Sequence, residues 1–458
     1  MERLTLSTLG AIAGDAVTGP RLDPRSLSIG LVHLGIGAFH RAHQAVYTEL
    51  AAAATGDDRW GEFAVTGRSA TVVQQLQPQD GLYGVLTKSS ERSTLHVVGG
   101  VRTIVNGGGD TAATLAAIAD PAVRVVTLTI TEKGYRTGSS LGVLATGLAA
   151  RFRAGAEPIS VVSCDNLSGN GEQLRRLVQE HADAAGPADF VTWLRQCVAF
   201  PSTMVDRIVP ATTDRDRAEA EALLGLRDEG LVVAEPFGQW VIEDNFAADR
   251  PAWERAGATL AADVAPYEKA KLRMLNGTHS LLAYLGALHG YSTIAEAVAD
   301  EQLYDAARAL QREDAIPTLE APPGTDLAAY GDQILERFGN PHLRHTTIQV
   351  AMDGSQKLPI RLLDTARDRL RAGAVPHHCA LAVAAWIVYV HRGQDRLGRE
   401  LPLNDPLAPV LREHAAGSEE GLVDRMFGLR EVFDEEIAGQ DAFREAVRDA
   451  TTSLLKLH

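Results

Sequence analysis

Cysteines and long apolar runs are scarce in this sequence, and both shortages restrict the class of protein. The 458 residues include 3 cysteines, Cys164, Cys197 and Cys379, and no CxxC pair. We therefore expect neither a disulfide framework nor a structural zinc site, and a reducing cytoplasm fits this composition. The longest apolar stretches, near residues 123–130 and 379–390, are too short to span a bilayer. The first 15 residues predict neither a signal peptide nor a transit peptide.

Basic residues are also in short supply. The chain has 44 Lys and Arg against 59 Asp and Glu, which gives a formal net charge of −15 at pH 7. Such a surface argues against nucleic acid or an anionic membrane as a partner. We expect a small molecule instead, and an anionic substrate would need cations placed locally at its site. Composition leaves the choice between a monomer and a small homo-oligomer open.

The strand signal is confined to the first part of the chain. Short β-branched runs alternate with helical segments up to about residue 264, which is typical of a βαβ sheet with buried parallel strands. After Pro266 the pattern is helical to the end. We predict an α/β Rossmann-like doubly wound domain (1–265) and a mainly α-helical domain (266–458), with the site between them. The predicted strands are residues 27–34, 63–66, 123–130, 159–163 and 230–234.

A glycine-containing loop follows the first predicted strand. Gly35 suits a tight turn, and Gly37 would let the backbone approach a pyrophosphate at the start of the next helix. His40 stands where the dinucleotide pattern has a third small residue, so a simple strand-to-helix turn is the alternative. After the second strand there is no ribose-binding carboxylate. Arg68 stands there and could pair with a 2′-phosphate or stack on adenine, so these residues leave NAD and NADP open.

A second cluster of polar residues lies in the segment that begins at Pro266. At the α-helical period, Glu268, Lys271, Asn276 and His279 fall within an arc of roughly 140°, among leucines expected to be buried. Buried polar groups cost free energy unless they are paired, so this pattern favours a site. Gly277, in the same helix, costs about 1 kcal/mol relative to alanine, which is usually tolerated for close packing or function.

Lys271 is the candidate general base of this cluster. A lysine in a partly desolvated cleft beside a cationic nicotinamide would supply a neutral amine that takes the proton of a secondary alcohol. Neutral amide donors such as Asn276 would stabilise the alkoxide, His279 would bond a substrate oxygen, and Glu268 would relay the proton outward. The alternative is a solvated helix face with an ordinary Glu268–Lys271 pair.

These segments, taken in order, resemble the mannitol dehydrogenase family of polyol-specific long-chain dehydrogenases. The resemblance covers most of the chain, and it implies a Rossmann-like domain, a helical C-terminal domain, no metal and a K-x-x-x-x-N-x-x-H catalytic motif. The matching pieces are residues 35–44 (GIGAFHRAHQ), 129–135 (TITEKGY), 163–166 (SCDN), 200–210 (FPSTMVDRIVP), 235–246 (EPFGQWVIEDNF) and 271–279 (KLRMLNGTH).

The resemblance also implies roles for single residues. Asn166 would join Asn276 in stabilising the oxyanion, Asp206 would contact the substrate, and Glu268 would be the proton-relay glutamate. Without the resemblance, Asn166 and Asp206 would be read as turn or capping residues. The expected cofactor-binding residues are Gly35, Gly37, Ala38, Phe39, Arg68, Thr131 and Glu132, and the family's general use of NAD favours NAD over NADP.

Within the family, the segment 344–359 (RHTTIQVAMDGSQKLP) resembles the fructuronate reductase branch more than it resembles the mannitol 2-dehydrogenases. Gln349 stands where mannitol enzymes carry an arginine, whereas Lys357 is retained. Lys357, Arg361 and Arg344 are candidates to bind a sugar-acid carboxylate, although Arg344 and Arg361 fit a solvated basic surface equally well. We therefore expect interconversion of D-fructuronate and D-mannonate. The alternatives are a mannitol or arabinitol 2-dehydrogenase and, against the intact motif, a non-catalytic NAD-linked sugar sensor.

Overall fold

The chain folds into two compact units. The first unit is Met1–Ala265 and the second is Pro266–His458. The structure is a computed structural model, and it describes residues 1–12, 14–67, 69–130, 134–135 and 139–456. Three of the predicted cofactor contacts, Arg68, Thr131 and Glu132, lie outside these described residues.

The first unit is built on a six-stranded sheet in the order β6-β3-β2-β7-β8-β9, in which every neighbouring pair is parallel. Its central strands are buried along nearly their whole length, as near-continuous apolar runs require. The prediction of a Rossmann-like α/β domain followed by a helical domain is confirmed. The strands of this sheet are β2 (Ile29–Leu34), β3 (Gly61–Val65), β6 (Val101–Val105), β7 (Val125–Leu128), β8 (Ile159–Ser163) and β9 (Val198–Ala199).

Two smaller sheets complete the first unit, and they correct the expectation of one sheet. The run 230–234 does form a strand, β11 (Val232–Ala234), but it pairs with β4 outside the six-stranded sheet. An apolar run indicates burial and does not say which strand will be its neighbour. The four-stranded sheet has the order β1-β5-β4-β11 and the three-stranded one β10-β12-β13. Their other strands are β1 (Val17–Thr18), β4 (Tyr83–Lys88), β5 (Ser93–Val98), β10 (Thr203–Asp206), β12 (Gln239–Glu243) and β13 (Thr259–Ala261).

Helices connect the strands of the first unit and cover the six-stranded sheet. A large core cluster joins Val126 and Val161 of the sheet to Leu144, Leu148 and Leu174 of two of these helices. The described α-helices of this unit are Ala38–Ala42, Gln44–Thr55, Thr71–Leu76, Thr111–Ala119, Ser139–Arg153, Asn170–Ala185, Ala188–Cys197 and Asp214–Leu224.

The second unit is helical, and its two longest buried helices, Gly277–Leu288 and His377–Arg392, form its centre. Three π-helical turns, at Lys271–Asn276, Leu310–Ala315 and Pro359–Leu363, interrupt the α-helical pattern. No described helix of the chain is both long and apolar enough to cross a membrane. The α-helices are Ala265–Ala270, Gly277–Leu288, Ile294–Val298, Glu301–Ala309, Leu327–Phe338, Thr347–Ala351, Gly354–Leu358, Asp364–Arg371, His377–Arg392, Ala408–Ala415, Leu422–Phe427, Glu435–Ala438 and Asp441–Leu455.

Candidate active site

The loop after β2, which we call the glycine turn (residues 35–37), has a shape that depends on missing side chains. Gly35 has a φ of +101°, and a Cβ placed there would lie 2.2 Å from the carbonyl oxygen of Thr129. Only glycine fits both the backbone angle and the contact. At Gly37 the nearest atom to an added Cβ is the Gly35 oxygen at 3.8 Å. The open space at Gly37 is therefore available to a ligand rather than filled by protein.

A cavity of about 580 Å³ opens beside the glycine turn, at the carboxyl ends of β2, β3, β6 and β7. This is where open α/β sheets bind ligands. Its described lining carries no charged side chain, and Ala38 and Phe39, two of the predicted cofactor contacts, do not belong to it. The lining residues are Leu34, Gly35, Ile36, Gly37, Val65, Thr66, Gly67, Ser69, Val72, Gly107, Gly108, Thr111, Thr114, Thr129, Ile130, Ser140 and Val143.

The loop after β6 contributes to this cavity and was missed by the sequence reasoning. Gly107 and Gly108 line the cavity, and a Cβ at Gly107 would lie 2.2 Å from the Thr66 oxygen. The signal was present as three consecutive glycines between Asn106 and Asp110. A second close backbone approach thus leaves room at the same sheet edge.

Asn166 and Asp206 belong to the first unit and follow or end strands there. Asn166 is exposed just after β8, whereas Asp206 is the buried last residue of β10 and lies opposite Gln239 of β12. The neighbouring Asp165 accepts a hydrogen bond from the Ile130 amide at 3.2 Å. This bond joins the residues that follow β8 and β7.

In the second unit, Lys271 and Asn276 open and close a π-helical turn. We call the whole element, from Ala265 to Leu288, the lysine helix. Both side chains are buried, at 8% and 7% exposure, while Glu268 is half-buried. The arc predicted from uniform α-helical spacing is therefore only approximate, because a π turn contains more residues than an α turn. The alternative of a solvated helix face does not fit Lys271.

Two contacts fix the π-helical turn against its surroundings. Arg273, buried within the turn, forms an ion pair with Asp368 at 2.7 Å. At the end of the turn, a Cβ on Gly277 would approach the carbonyl oxygen of Arg361 to 3.0 Å. Gly277 therefore allows the lysine helix to pack closely against the Pro359–Leu363 turn, in agreement with the close packing expected of it.

His279 is buried one α-helical turn beyond Asn276 in the sequence. Its ring stacks on Phe338 with centroids 4.5 Å apart and meets the edge of His345 at 4.8 Å. Burial, followed by the charges of His345, Arg361, Lys357 and Arg337, lowers the pKa of His279 well below its usual range. The imidazole is therefore neutral at neutral pH. Its Nε2 is buried and has no hydrogen-bond partner among the described residues, so it suits a ligand oxygen.

Cations gather around this neutral histidine in an otherwise acidic chain. Arg361 donates from Nη1 to Ser280 Oγ at 3.2 Å, and Lys357 donates to the Val350 carbonyl at 3.2 Å. Arg337, on the helix Leu327–Phe338, is a third and was missed because a single arginine in an amphipathic helix gives no sequence signal. We call Arg337, Lys357 and Arg361 the cation cluster.

Arg344 differs from the residues of the cation cluster in two respects. It is exposed, and its φ of +48° places it in the left-handed region. The next residue, His345, contacts His279, and burial followed by the charge of Lys357 lowers the pKa of His345 to about 4. Among the described residues, no group of three or more His, Cys, Asp or Glu side chains is placed to hold a metal ion.

Comparisons with known proteins match both units. Residues 29–255 match the model of the mannitol dehydrogenase Rossmann domain, and residues 263–455 that of the mannitol dehydrogenase C-terminal domain. The chain is 42% identical to the uncharacterized oxidoreductase YdfI of Escherichia coli K12, over 96% of this chain and 95% of the relative. It is 40% identical to D-mannonate oxidoreductase of the same organism, over 96% of each.

A solved structure is similar over nearly the whole chain. The ternary complex of Pseudomonas fluorescens mannitol 2-dehydrogenase with NAD and D-mannitol superposes with a TM-score of 0.87 at 32% identity. The match covers 99% of this chain and 97% of that one. The similarity therefore extends over both units of the chain.

Proposed function

Because this chain belongs to the mannitol dehydrogenase family, we propose that it is an NAD-dependent oxidoreductase that interconverts D-fructuronate and D-mannonate. The family's members oxidise secondary alcohols, and the specific substrate is the new element of the proposal. The observation that carries it is the cation cluster around a neutral, buried His279. Arg337 is buried and Lys357 and Arg361 are half-buried, and cations placed in this way beside a neutral histidine suit an anionic group of a substrate.

The first unit supplies the dinucleotide site in this proposal. The glycine turn and Gly107 create room by close backbone contacts, and the cavity of about 580 Å³, whose described lining is uncharged, suits NAD. The glycine turn would hold NAD, which would supply the acceptor for the hydride of the alcohol carbon. Gly35 and Gly37 are the contacts we retain from the described residues. Ala38, Phe39, Thr131 and Glu132 are assigned by the family resemblance, and Arg68 is assigned by its place after the second strand.

The second unit supplies the base. We assign Lys271 the role of taking the hydroxyl proton, because the residue is buried and opens the π-helical turn that ends at Asn276. Asn276 donates to the developing alkoxide, and half-buried Glu268 passes the proton outward. His279 binds a substrate oxygen through its Nε2, which has no hydrogen-bond partner in the described part of the chain. Asn166 and Asp206, in the first unit, are proposed contacts of the alcohol oxygen and of the sugar.

The substrate assignment rests on one functional group. D-Mannonate and D-mannitol differ in one terminal group, which is a carboxylate in the acid and a hydroxymethyl group in the polyol. Arg361 and Lys357 are the proposed carboxylate partners, with Arg344 as a further one at the exposed side. The runner-up is oxidation of D-mannitol, which is favoured by the similarity to the mannitol 2-dehydrogenase complex.

The test measures kcat/KM for the oxidation of D-mannonate and for the oxidation of D-mannitol from the rise in NADH absorbance. Both measurements are repeated with NADP. We expect mannonate to be preferred by at least about 100-fold, because a charge-assisted hydrogen bond contributes about 1.5–3 kcal/mol and two are proposed. A preference for mannitol would overturn the assignment in favour of the runner-up.

Two variants test whether Arg361 and Lys357 bind the substrate carboxylate. Arg361→Gln and Lys357→Met should each lower kcat/KM for mannonate by about 10- to 100-fold and leave the low rate with mannitol nearly unchanged. Arg371→Gln is the matched control, because Arg371 is an exposed cation of the same region that pairs with Glu436. Equal losses on both substrates would show that the cation cluster does not read the carboxylate.

A further inference from the structure

A set of polar side chains is buried directly behind the glycine turn, and the proposed reaction does not use it. His33 of β2 is fully buried, and its ring lies between the hydroxyls of Thr127 and Thr129. Of these residues only Thr129 lines the dinucleotide cavity. His33 therefore has no access to a ligand, but it is one side chain away from the surface that a ligand would touch.

Each hydrogen bond that joins Thr127, His33, Thr129 and Gly35 has one possible direction. The Thr129 hydroxyl has a single proton, which it donates to the Gly35 carbonyl oxygen at 2.7 Å. Thr129 Oγ1 must then accept from His33 Nε2, which lies 3.0 Å away. Burial, followed by the neighbouring His40, lowers the pKa of His33 well below its usual range, so its other nitrogen carries no proton.

The remaining nitrogen of His33 completes a one-way chain. Nδ1 lies 2.7 Å from Thr127 Oγ1 and, without a proton, must accept from that hydroxyl. The chain therefore runs from the Thr127 hydroxyl through both nitrogens of His33 and the Thr129 hydroxyl to the Gly35 oxygen. Gly35 is the residue with a φ of +101°, and the same oxygen also accepts from the Gly37 amide at 2.6 Å. The chain thus ends on the peptide that gives the turn its shape.

His40 keeps the His33 ring in place. The two imidazoles are stacked with centroids 3.3 Å apart and planes 13° from parallel, and His40 Nε2 lies 2.8 Å from Glu62 Oε1. Both His40 and Glu62 are buried. His40 is also the residue that replaces the third small residue of the dinucleotide pattern. The histidine at this position therefore has a structural role, because its ring stacks on the ring of His33 where a smaller side chain could not.

We propose that His33 is a positioning residue for dinucleotide binding, which fixes the peptide of Gly35 through Thr129 and so sets the shape of the glycine turn. The proposal rests on the proposed function for the identity of the ligand as a nicotinamide dinucleotide. It predicts that loss of the Nε2 donor weakens binding of the dinucleotide even though no ligand atom touches His33.

The experiment measures the Kd of NADH by fluorescence titration, without any sugar, on variants whose circular dichroism shows a folded chain. His33→Leu removes both nitrogens and should raise the Kd by about three- to tenfold, the effect of one lost hydrogen bond. His33→Gln places an amide donor near the position of Nε2 and should return the Kd to within about twofold of the wild type.

A milder pair covers the case in which His33→Leu does not fold. Thr127→Val keeps the shape of a fully buried residue and removes the donor to Nδ1, which releases the tautomer of His33. We expect it to raise the Kd by about two- to fivefold, and Thr127→Ser to restore it. Thr127 does not line the cavity, so a direct contact with NADH does not account for the change.

A control separates positioning from general loss of stability. Arg151 is fully buried and donates to the carbonyls of Ile118, Asp120 and Glu157. These residues precede β7 and β8, at the opposite edge of the sheet. Arg151→Met should lower the melting temperature at least as much as Thr127→Val but leave the Kd of NADH within twofold.

The outcomes distinguish this inference from the proposed function. A wild-type chain that does not bind NADH overturns both. Wild-type binding with an unchanged Kd in His33→Leu and Thr127→Val overturns the positioning role alone. The positioning role is also overturned if Arg151→Met and Thr127→Val raise the Kd of NADH in the same proportion as they lower the melting temperature. Weaker binding in Thr127→Val, restored in Thr127→Ser and absent in Arg151→Met, supports it.

Discussion

The glycine turn of the first unit and the lysine helix of the second differ in how each makes room for function. At the glycine turn, backbones approach so closely that a side chain would collide with a carbonyl oxygen 2.2 Å away. The lysine helix instead buries Lys271, Arg273, Asn276 and His279 among apolar neighbours, and it changes its helical pitch where it does so. The glycine turn makes room because it lacks side chains, whereas the lysine helix holds polar side chains in a buried environment.

This difference predicts opposite sensitivities to mutation. Adding a methyl group at Gly35 should damage the glycine turn, because the backbone of Thr129 cannot move away from the contact. Removing a polar group should damage the lysine helix, because its side chains carry the proposed chemistry. Substitutions in the turn should therefore affect stability and cofactor binding, whereas those in the helix should affect turnover.

The largest effect is expected at Lys271. Lys271→Met removes the amine, keeps most of the stem, and should lower kcat by about 10²- to 10⁴-fold, the usual contribution of a general base. The Kd of NADH should stay within about threefold. Steady-state kinetics and fluorescence titration measure the two quantities. Lys269→Met is the control at an exposed neighbour, and it should keep kcat within threefold. Comparable losses in both variants would contradict the assignment of the base.

The next effect separates the two glycines of the turn. Gly35→Ala should lower the free energy of unfolding by at least about 2 kcal/mol, because the backbone angle and the Thr129 contact are both unfavourable. Gly37→Ala should change it by less than about 0.5 kcal/mol and should weaken NADH binding. Urea unfolding and NADH titration test this. Equal stability of the two variants would contradict the close contact at Gly35.

A third effect depends on pH and concerns the pair behind the turn. Burial raises the pKa of Glu62 to about 7 and lowers the pKa of His40 to about 3. Above its unfolded pKa of 4.5, Glu62 keeps a proton in the folded state that it loses on unfolding, so its contribution to stability falls as pH rises towards 7. His40 has the opposite dependence, because only its unfolded state binds a proton below 6.5.

Glu62→Gln should therefore expose the dependence of His40. Relative to the wild type, the free energy of unfolding of the variant should increase by up to about 3 kcal/mol between pH 4.5 and 7. Urea unfolding of both proteins at half-unit pH steps measures the difference. A constant difference across this range would mean that Glu62 does not hold its proton in the folded state.

The smallest effect is expected where the lysine helix resembles the turn. A Cβ on Gly277 would also approach a carbonyl oxygen, that of Arg361, but at 3.0 Å rather than 2.2 Å. Alanine is better than glycine in a helix by about 1 kcal/mol, which should offset the contact. Gly277→Ala should thus stay within about 1 kcal/mol of the wild type and raise KM for the sugar acid about threefold, since Arg361 moves. An unchanged KM would separate Gly277 from the cation cluster.

The parts of the fold that local chemistry determines could be predicted from the sequence. The strands β2, β3, β7 and β8 follow from apolar runs, and the conformation of Gly35 follows from its place after β2. The partner of β11 could not be predicted, because pairing is decided by tertiary packing. The three-stranded sheet was missed for the same reason, since its strands are short and separated along the chain.

Prediction of the candidate site was limited by geometry as well. Burial of Lys271, Asn276 and His279 followed from their spacing among leucines, but the π-helical turn between them could not be read from an assumed α-helical period. Arg337 gave no signal because its neighbours in sequence are ordinary for a surface helix. Gly107 could have been found from the triple glycine after β6, had the loop been placed at the same sheet edge.

The position of the cation cluster within an acidic chain has a consequence for the kinetics of encounter. A sugar-acid anion that approaches from a distance meets the field of the whole chain, with a formal net charge of −15, before it reaches the cations near His279. Salt screens that distant repulsion over about 8–10 Å, whereas partly buried cations are screened much less. The association rate of the acid should therefore rise with ionic strength, opposite to enzymes that attract their substrates by long-range steering.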